Sequence, residues 1–211
     1  MIAIVDYEAG NLASVERAVR GLGFESLVTQ NPDLILAAER VIFPGVGAAG
    51  TAMAGLRRLG LDQVLREVKD RGVPLLGICL GTQIVFESSE EDGGVECLGL
   101  MPGTVRRFPP GLSGDGEKLK VPHMGWNRVR LVKNHPVLKG ALPEHEFYFV
   151  HSYYPDPADT AHVAGWTDYG ITFASIVAHG SLIAAQFHPE KSGRPGLNIL
   201  KNFCLWDGEY A

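Results

Sequence analysis

One ten-residue stretch restricts the fold more than any other: Pro74-Leu75-Leu76-Gly77-Ile78-Cys79-Leu80-Gly81-Thr82-Gln83. An apolar run leads straight into helix-forming residues, with a glycine two positions before a cysteine and another two positions after it. When a strand turns into a helix this sharply, the −2 and +2 positions nearly touch, and only glycine leaves room there. The side chain at the turn then stands clear of the sheet. The first N–H groups of the helix and the positive end of its dipole face that side chain, which favours a thiolate. This is the nucleophile-elbow pattern with sulfur in place of oxygen. It requires a sheet with a helix packed over its end, so it points to an α/β chain.

The first half of the sequence supplies such a sheet. Residues 2–5 form a short apolar run, and Leu12, Val15 and Val19 give residues 11–20 helical spacing. A strand is expected over 40–43, ended by Pro44-Gly45, then helices over 49–58 and 61–70, a strand over 74–79 and a helix over 82–87. This alternation predicts a mostly parallel central sheet flanked by helices on both faces. In the second half, strand-like runs at 104–108, 126–131, 147–151, 162–165, 173–178 and 182–186 are separated by turn residues at short intervals. They read as antiparallel additions to the same domain. Residues 109–116, rich in Gly and Pro, read as an exposed loop, and 197–205 as a closing helix. With 211 residues and no long linker, a single domain spanning 1–211 is expected.

Composition excludes several classes. The net charge of -5 argues against a nucleic-acid binder, and no apolar run is long enough to span a membrane. The N-terminus lacks a basic lead and a small-residue cleavage site, so it reads as a first strand and not as a signal peptide. Three widely spaced cysteines, Cys79, Cys97 and Cys204, fit neither a disulfide framework nor a zinc knuckle. A reducing, cytoplasmic location is the simplest reading. Cys97 and Cys204 lack the glycine frame and read as core residues.

A thiol nucleophile needs a base, and the base needs an orienting partner. Seven histidines compete. His188, in Gln186-Phe187-His188-Pro189-Glu190, directly follows the apolar strand at 182–186, where ligand crevices of open α/β sheets form. Glu190, two residues on, falls on the same side of an extended segment and can accept the imidazole N–H. His151 is the next candidate, as a pocket-lining or structural residue; the other five receive no catalytic role. No His/Cys/Asp cluster has metal-ligand spacing, so neither metal nor cofactor is expected. A tetrahedral intermediate needs two N–H donors. Leu80, just after the nucleophile, can supply one; the loop Gly45, Val46 and Gly47 can supply the other. That loop lacks the Lys-Ser/Thr ending of a phosphate loop.

These segments resemble the class I glutamine amidotransferase family, through Gly77-Ile78-Cys79-Leu80-Gly81-Thr82-Gln83 and Phe187-His188-Pro189-Glu190, over essentially the whole chain. Further segments resemble the branch of the family that serves as glutaminase subunit of imidazole glycerol phosphate synthase. They are Ile4-Val5-Asp6-Tyr7 with Gly10-Asn11-Leu12, Pro122-His123-Met124-Gly125-Trp126-Asn127 and Phe149-Val150-His151-Ser152-Tyr153-Tyr154. So does Pro44-Gly45-Val46-Gly47, where most of the family has Pro-Gly-Gly. The resemblance implies a flavodoxin-like fold and glutamine hydrolysis through a glutamyl thioester on Cys79. It implies ammonia transfer to a (β/α)8-barrel cyclase subunit in histidine biosynthesis. It also implies substrate contacts at Gln83, His151, Ser152 and Tyr153 and partner contacts at Asn11, Trp126 and Lys191. The alternatives are a glutaminase subunit of another synthase such as anthranilate synthase, a non-catalytic domain of the same fold, and a thiol peptidase.

Overall fold

Parallel pairing joins β1 (Ile2–Val5) to β2 (Ser26–Thr29) and to β3 (Arg40–Gly45), then β3 to β4 (Leu75–Cys79). This computed structural model describes residues 1–8, 11–114 and 116–210. Gly10 of the Gly10-Asn11-Leu12 segment and Asp115 of the 109–116 loop lie outside them. The remaining long strands are β5 (Gly103–Arg107), β6 (His123–Arg128), β7 (Glu146–His151), β8 (Tyr153–Pro157), β9 (Val163–Asp168), β10 (Thr172–His179) and β11 (Leu182–Ala185). Among the described residues, the main sheet has eight strands. Its parallel part runs β2-β1-β3-β4-β11, and β10, β9 and the short strand Arg130–Leu131 add antiparallel pairs beyond β11. The parallel order 2-1-3-4 with one more strand beside β4 is that of flavodoxin-like sheets. β6 pairs with β7, and β8 with β5, in smaller antiparallel layers.

Because strand side chains alternate, each parallel strand feeds two cores. Ala3 and Val5 of β1 and Leu75 of β4 face one side, with Met53, Leu56, Leu61, Leu65 and Val68 from α3 (Ala49–Leu59) and α4 (Leu61–Asp70). Ile2, Ile4, Leu76 and Ile78 face the other, with Val15 and Val19 of α1 (Leu12–Gly21) and Ile199, Leu200 and Phe203 of α6 (Gly193–Leu205). Helices therefore cover both faces, as the strand–helix alternation predicts. No helix among the described residues is long and apolar enough to cross a membrane.

Several boundaries differ from the sequence reading, each for a local reason. The helix expected over 82–87 is α5 (Leu80–Ile84): it starts immediately after Cys79, and its end is set by Gly99, Leu100 and Met101, whose N–H groups bond to the carbonyls of Val85 and Phe86. The run at 126–131 divides at Val129, one part joining β7 and the other β9. His162 belongs to a 3-10 turn (Thr160–His162), and α6 begins at Gly193 rather than 197. The 109–116 loop carries one side of a two-residue ladder, Ser113–Gly114, which pairs with Glu117–Lys118 just beyond it. β2 and α2 (Pro32–Leu36) were not anticipated. The second carries a readable signal, since Asn31 caps Asp33 N–H and Pro32 occupies the first turn.

The glycines of the elbow are required by contact. A Cβ on Gly81 would lie 1.9 Å from the Phe43 carbonyl oxygen, and one on Gly77 would lie 3.2 Å from the backbone of Gly81. Gly81→Ala is expected to lose about 3 kcal/mol of stability, because the blocking atom is backbone on a central strand. Gly21→Ala, at the end of α1 with open space around it, should change stability by less than about 1 kcal/mol. Urea unfolding of both variants checks this; equal midpoints would show that the elbow is not sterically tight.

Candidate active site

Three adjacent parallel strands end at one place. Gly45 of β3 is the ladder partner of Cys79 on β4, and β11 on the other side of β4 leads after two residues into His188. The order β3-β4-β11 thus brackets the cysteine between a glycine loop and a histidine. Cys79 has φ 55 and ψ -108, a positive-φ conformation that a non-glycine residue adopts only when its surroundings enforce it. A cavity of about 280 Å³ opens above it, lined by Val46, Gly47, Leu80 and Gln83, by Glu91 and Pro122, and by residues 150–153 and His188.

His188 is buried and held from three sides. Its N–H donates to the Tyr148 carbonyl at 2.9 Å, and Ser192 Oγ donates to the His188 carbonyl at 2.6 Å. Its Nδ1 is 2.8 Å from Glu190 Oε1. With Nδ1–H given to the carboxylate, Nε2 is the ring atom left for chemistry, and it has no hydrogen-bond partner among the described residues. Burial opposes charge on this ring, but the neighbouring Cys79 and Glu190 outweigh it and hold the pKa at about 9. The ordinary value is 6.5, so the imidazolium prevails at neutral pH. Its stabilising effect is complete below about pH 6.5 and is lost as pH rises through about 9.

Asn11 bonds the same carboxylate: its Nδ2 donates to Glu190 Oε1 at 2.7 Å. Asn is a favoured helix N-cap, yet here φ is 77 and the side chain makes no cap bond, because it is committed to Glu190. Lys191 is exposed beside Glu190, and Trp126, 55% exposed, is the ladder partner of Tyr148. Asn11, Trp126 and Lys191 therefore gather around the His188–Glu190 segment.

On the opposite side, Leu80 begins α5, so its N–H has no partner within that helix. Val46 is on the surface and Gly47 has φ +102, a conformation open to glycine. Tyr7, buried against Phe43, places its hydroxyl where a Cβ on Gly45 would sit, 1.8 Å away, so a larger residue there would have to displace the Tyr7 ring. That hydroxyl has no hydrogen-bond partner among the described residues, and burial, with Cys79 adding to it, holds its pKa far above the ordinary phenol value.

The remaining wall is formed by residues whose polar atoms are largely engaged. Gln83 Nε2 donates to the Tyr153 carbonyl and to Gln186 Oε1. His151 Nδ1 is 2.8 Å from the Tyr153 carbonyl and must carry the proton; its Nε2 therefore accepts from His123 Nδ1 at 3.0 Å. Asn127 Nδ2 donates to the remaining nitrogen of His123 at 3.3 Å. Burial depresses His151 to about 3 and His123 to about 4, so both rings are neutral. His151 lines the cavity with both ring nitrogens in use. His123, which carried no role in the sequence reading, is its support. Glu91 was also missed: its carboxylate caps α3 through Ala49 N–H at 2.7 Å while bordering the cavity. Burial raises its pKa, the Ala49 bond opposes this, and Asp92 adds to the rise. No local pattern marks Glu91, which reaches the site only through the fold.

A profile described as Glutamine amidotransferase class-I matches residues 3–206. Similar curated proteins include "Imidazole glycerol phosphate synthase subunit HisH" of Dehalococcoides mccartyi, 49% identical over 203 residues that make up 96% of each chain. The protein of that name from Methylococcus capsulatus is 51% identical over 98% of this chain and 96% of its own. Among solved structures, one titled "Crystal structure of glutamine amidotransferase" aligns with TM-score 0.73 at 18% identity, covering 96% of this chain and 99% of the other. "Structure of PurLQS from Thermotoga maritima" aligns with TM-score 0.72 at 18% identity, covering 96% of each. At these identities the structural likeness speaks for the fold alone.

The electrostatics of His188 can be tested directly. In Cys79→Ala the contributions of the sulfur vanish while burial remains, so the His188 titration midpoint should fall well below about 9. NMR titration of the imidazole reads it; a midpoint equal to wild type would show that the ring takes nothing from the sulfur.

Proposed function

The chain belongs to the class I glutamine amidotransferase family, and from that premise we propose that it is the glutaminase subunit of an imidazole glycerol phosphate synthase. The observation that carries this is the convergence of Cys79, an imidazole with a free Nε2 and a buried carboxylate at one cavity. The names of relatives 49–51% identical over nearly the full chain supply the synthase.

Cys79 Sγ attacks the side-chain carbonyl carbon of glutamine. Negative charge moves to the carbonyl oxygen, where the Leu80 N–H and one N–H of the Gly45, Val46 and Gly47 loop receive it. The protonated His188 Nε2 gives its proton to the departing amide nitrogen; the C–N bond breaks, and ammonia and a glutamyl thioester form. Neutral His188 then takes a proton from water, whose oxygen attacks the thioester; the C–S bond breaks and glutamate leaves. Glu190, itself held by Asn11, keeps the ring oriented through both steps. Gln83, His151, Ser152 and Tyr153 shape the substrate wall, and the Glu91 carboxylate suits the α-ammonium group of glutamine.

Ammonia in neutral water is mostly ammonium, which is no nucleophile, so the product must reach its acceptor without equilibrating with solvent. The acceptor site is assigned to a (β/α)8-barrel cyclase in the cytoplasm, docked over the mouth of the cavity. Exposed apolar side chains there, Val46, Val121, Met124 and Trp126, support such a contact, with Asn11 and Lys191 beside it.

Two outcomes test this reading. Cys79→Ala, paired with the cyclase, should lose glutamine hydrolysis yet still form imidazole glycerol phosphate from ammonium salt at alkaline pH. Wild type running on glutamine should release little ammonia to a coupled detection enzyme; free leakage refutes channelled transfer.

The oxyanion loop yields a further expectation. Val46 is β-branched and resists unusual backbone angles. We propose that the loop rests with one donor turned away until partner and substrate bind. Glutaminase activity of the isolated chain should then be about 10²–10³ lower than that of the complex, the worth of one oxyanion donor. High activity of the subunit alone would count decisively against this gating.

A further inference from the structure

We propose that Gln186 is a further catalytic residue, whose side-chain amide is locked by Gln83 into the one orientation that donates to the sulfur of Cys79 and supports its thiolate. This rests on Cys79 being the nucleophile, as set out above. Gln186 lies at the end of β11, immediately before Phe187 and His188, and is fully buried.

The orientation follows from the bonding alone. The two ends of a glutamine amide look alike in shape but differ in hydrogen-bond sense. The Tyr153 carbonyl can only accept, so the Gln83 atom 2.9 Å from it must be the amide nitrogen. That nitrogen carries a second hydrogen and lies 3.0 Å from a terminal atom of the Gln186 amide, which must therefore be oxygen. The remaining terminal atom of Gln186 is then Nε2, and it lies 3.9 Å from Cys79 Sγ. Reversing the amide would set two N–H donors against each other in a site closed to water. The Tyr153 carbonyl is itself fixed by a second donor, His151 Nδ1 at 2.8 Å. The spacing between α5 and β11 is set by Thr82 Oγ1, which donates to the Ala185 carbonyl at 2.6 Å.

This arrangement discriminates between the two states of the sulfur. As a thiol, Cys79 has the Val150 carbonyl as its acceptor, 4.0 Å away. As a thiolate it can only accept, and Gln186 is the uncharged side chain that donates to it. A hydrogen bond to an ionised acceptor is about twice as strong as one to a neutral acceptor, and a buried donor without a partner is costly. The amide therefore favours the ionised form. The titratable groups facing the sulfur are His188, Tyr7 and, across the cavity, Glu91. Of these only His188 favours the thiolate, so the amide supplements a single cation.

The test is the pH dependence of alkylation at Cys79. The full chain is treated with iodoacetamide over a range of pH, and the Cys79 peptide is quantified by mass spectrometry. In Gln186→Leu the midpoint should rise by about one unit, a tenfold loss of thiolate at pH values below both midpoints. In Gln186→Glu it should rise further, because a carboxylate replaces the donor. In the complex, kcat for glutamine hydrolysis should fall about tenfold in Gln186→Leu with KM within about twofold, since the amide acts on the nucleophile and not on bound substrate. If these variants do not fold, Gln83→Leu keeps Gln186 and removes its lock; although Gln83 also lines the cavity, the pH midpoint of alkylation reads the sulfur and not substrate binding, and a smaller rise is expected. A wild-type midpoint in folded Gln186→Leu, or in Gln83→Leu where that variant is the one that folds, overturns the proposal. Alkylation needs no substrate, so it decides the role of Gln186 even if the wild-type complex hydrolyses no glutamine, a result that would overturn only the glutaminase reading.

Discussion

The approach of Gly81 to the carbonyl oxygen of Phe43 is the contact on which the rest of the molecule depends. With no Cβ on Gly81, α5 can begin within one residue of the end of β4 and pack directly over β3. That packing holds Cys79 at positive φ, turns its sulfur out of the sheet and sets the Leu80 N–H beside it. Any side chain at Gly81 would lift the helix from the sheet and move every one of these groups at once.

From this fixed point the site is built by strand order. β3, β4 and β11 are neighbours, so the glycine loop, the cysteine and the histidine arrive at the same sheet edge from segments far apart in the chain. Each is then restrained by bonds that bind no substrate. Ser192 links Tyr148 N–H to the His188 carbonyl, Asn11 shares Glu190 with His188, and Thr82 ties α5 to β11. The cost of burying so many polar groups is offset because most find partners, and the resulting rigidity holds reacting groups in register. Of the unpartnered atoms, His188 Nε2 and the Tyr7 hydroxyl lie beside the cysteine and its flanking glycine loop.

The two histidines behind the cavity illustrate the division between charge and shape. His188 has the Cys79 sulfur and the Glu190 carboxylate beside it and is held charged; His151 and His123 are held neutral by burial. The neutral pair acts as a wall with fixed hydrogen-bond direction. It terminates at the Tyr153 carbonyl, where the Gln83 amide also ends.

Much was legible in the sequence because it is local. The glycine frame of Cys79, the His-Pro-Glu run and the strand–helix alternation each depend on residues within a few positions of one another, where backbone sterics and periodicity operate. These determined the elbow, the layered α/β sheet and the residues from which a base and its orienting group could be chosen. The positions of short edge elements such as β2, the length of α5 and the division at Val129 were decided by which neighbouring strand offered hydrogen bonds. The partners of Asn11, His123, Glu91 and Gln186 were decided by tertiary structure alone. Asn11 is separated from Glu190 by 179 residues and Gln186 from Cys79 by 107, and nothing in the local sequence of either links them. Sequence specifies what a side chain can donate or accept; only the folded sheet, by setting strand order and excluding water, decides which group across the site receives it.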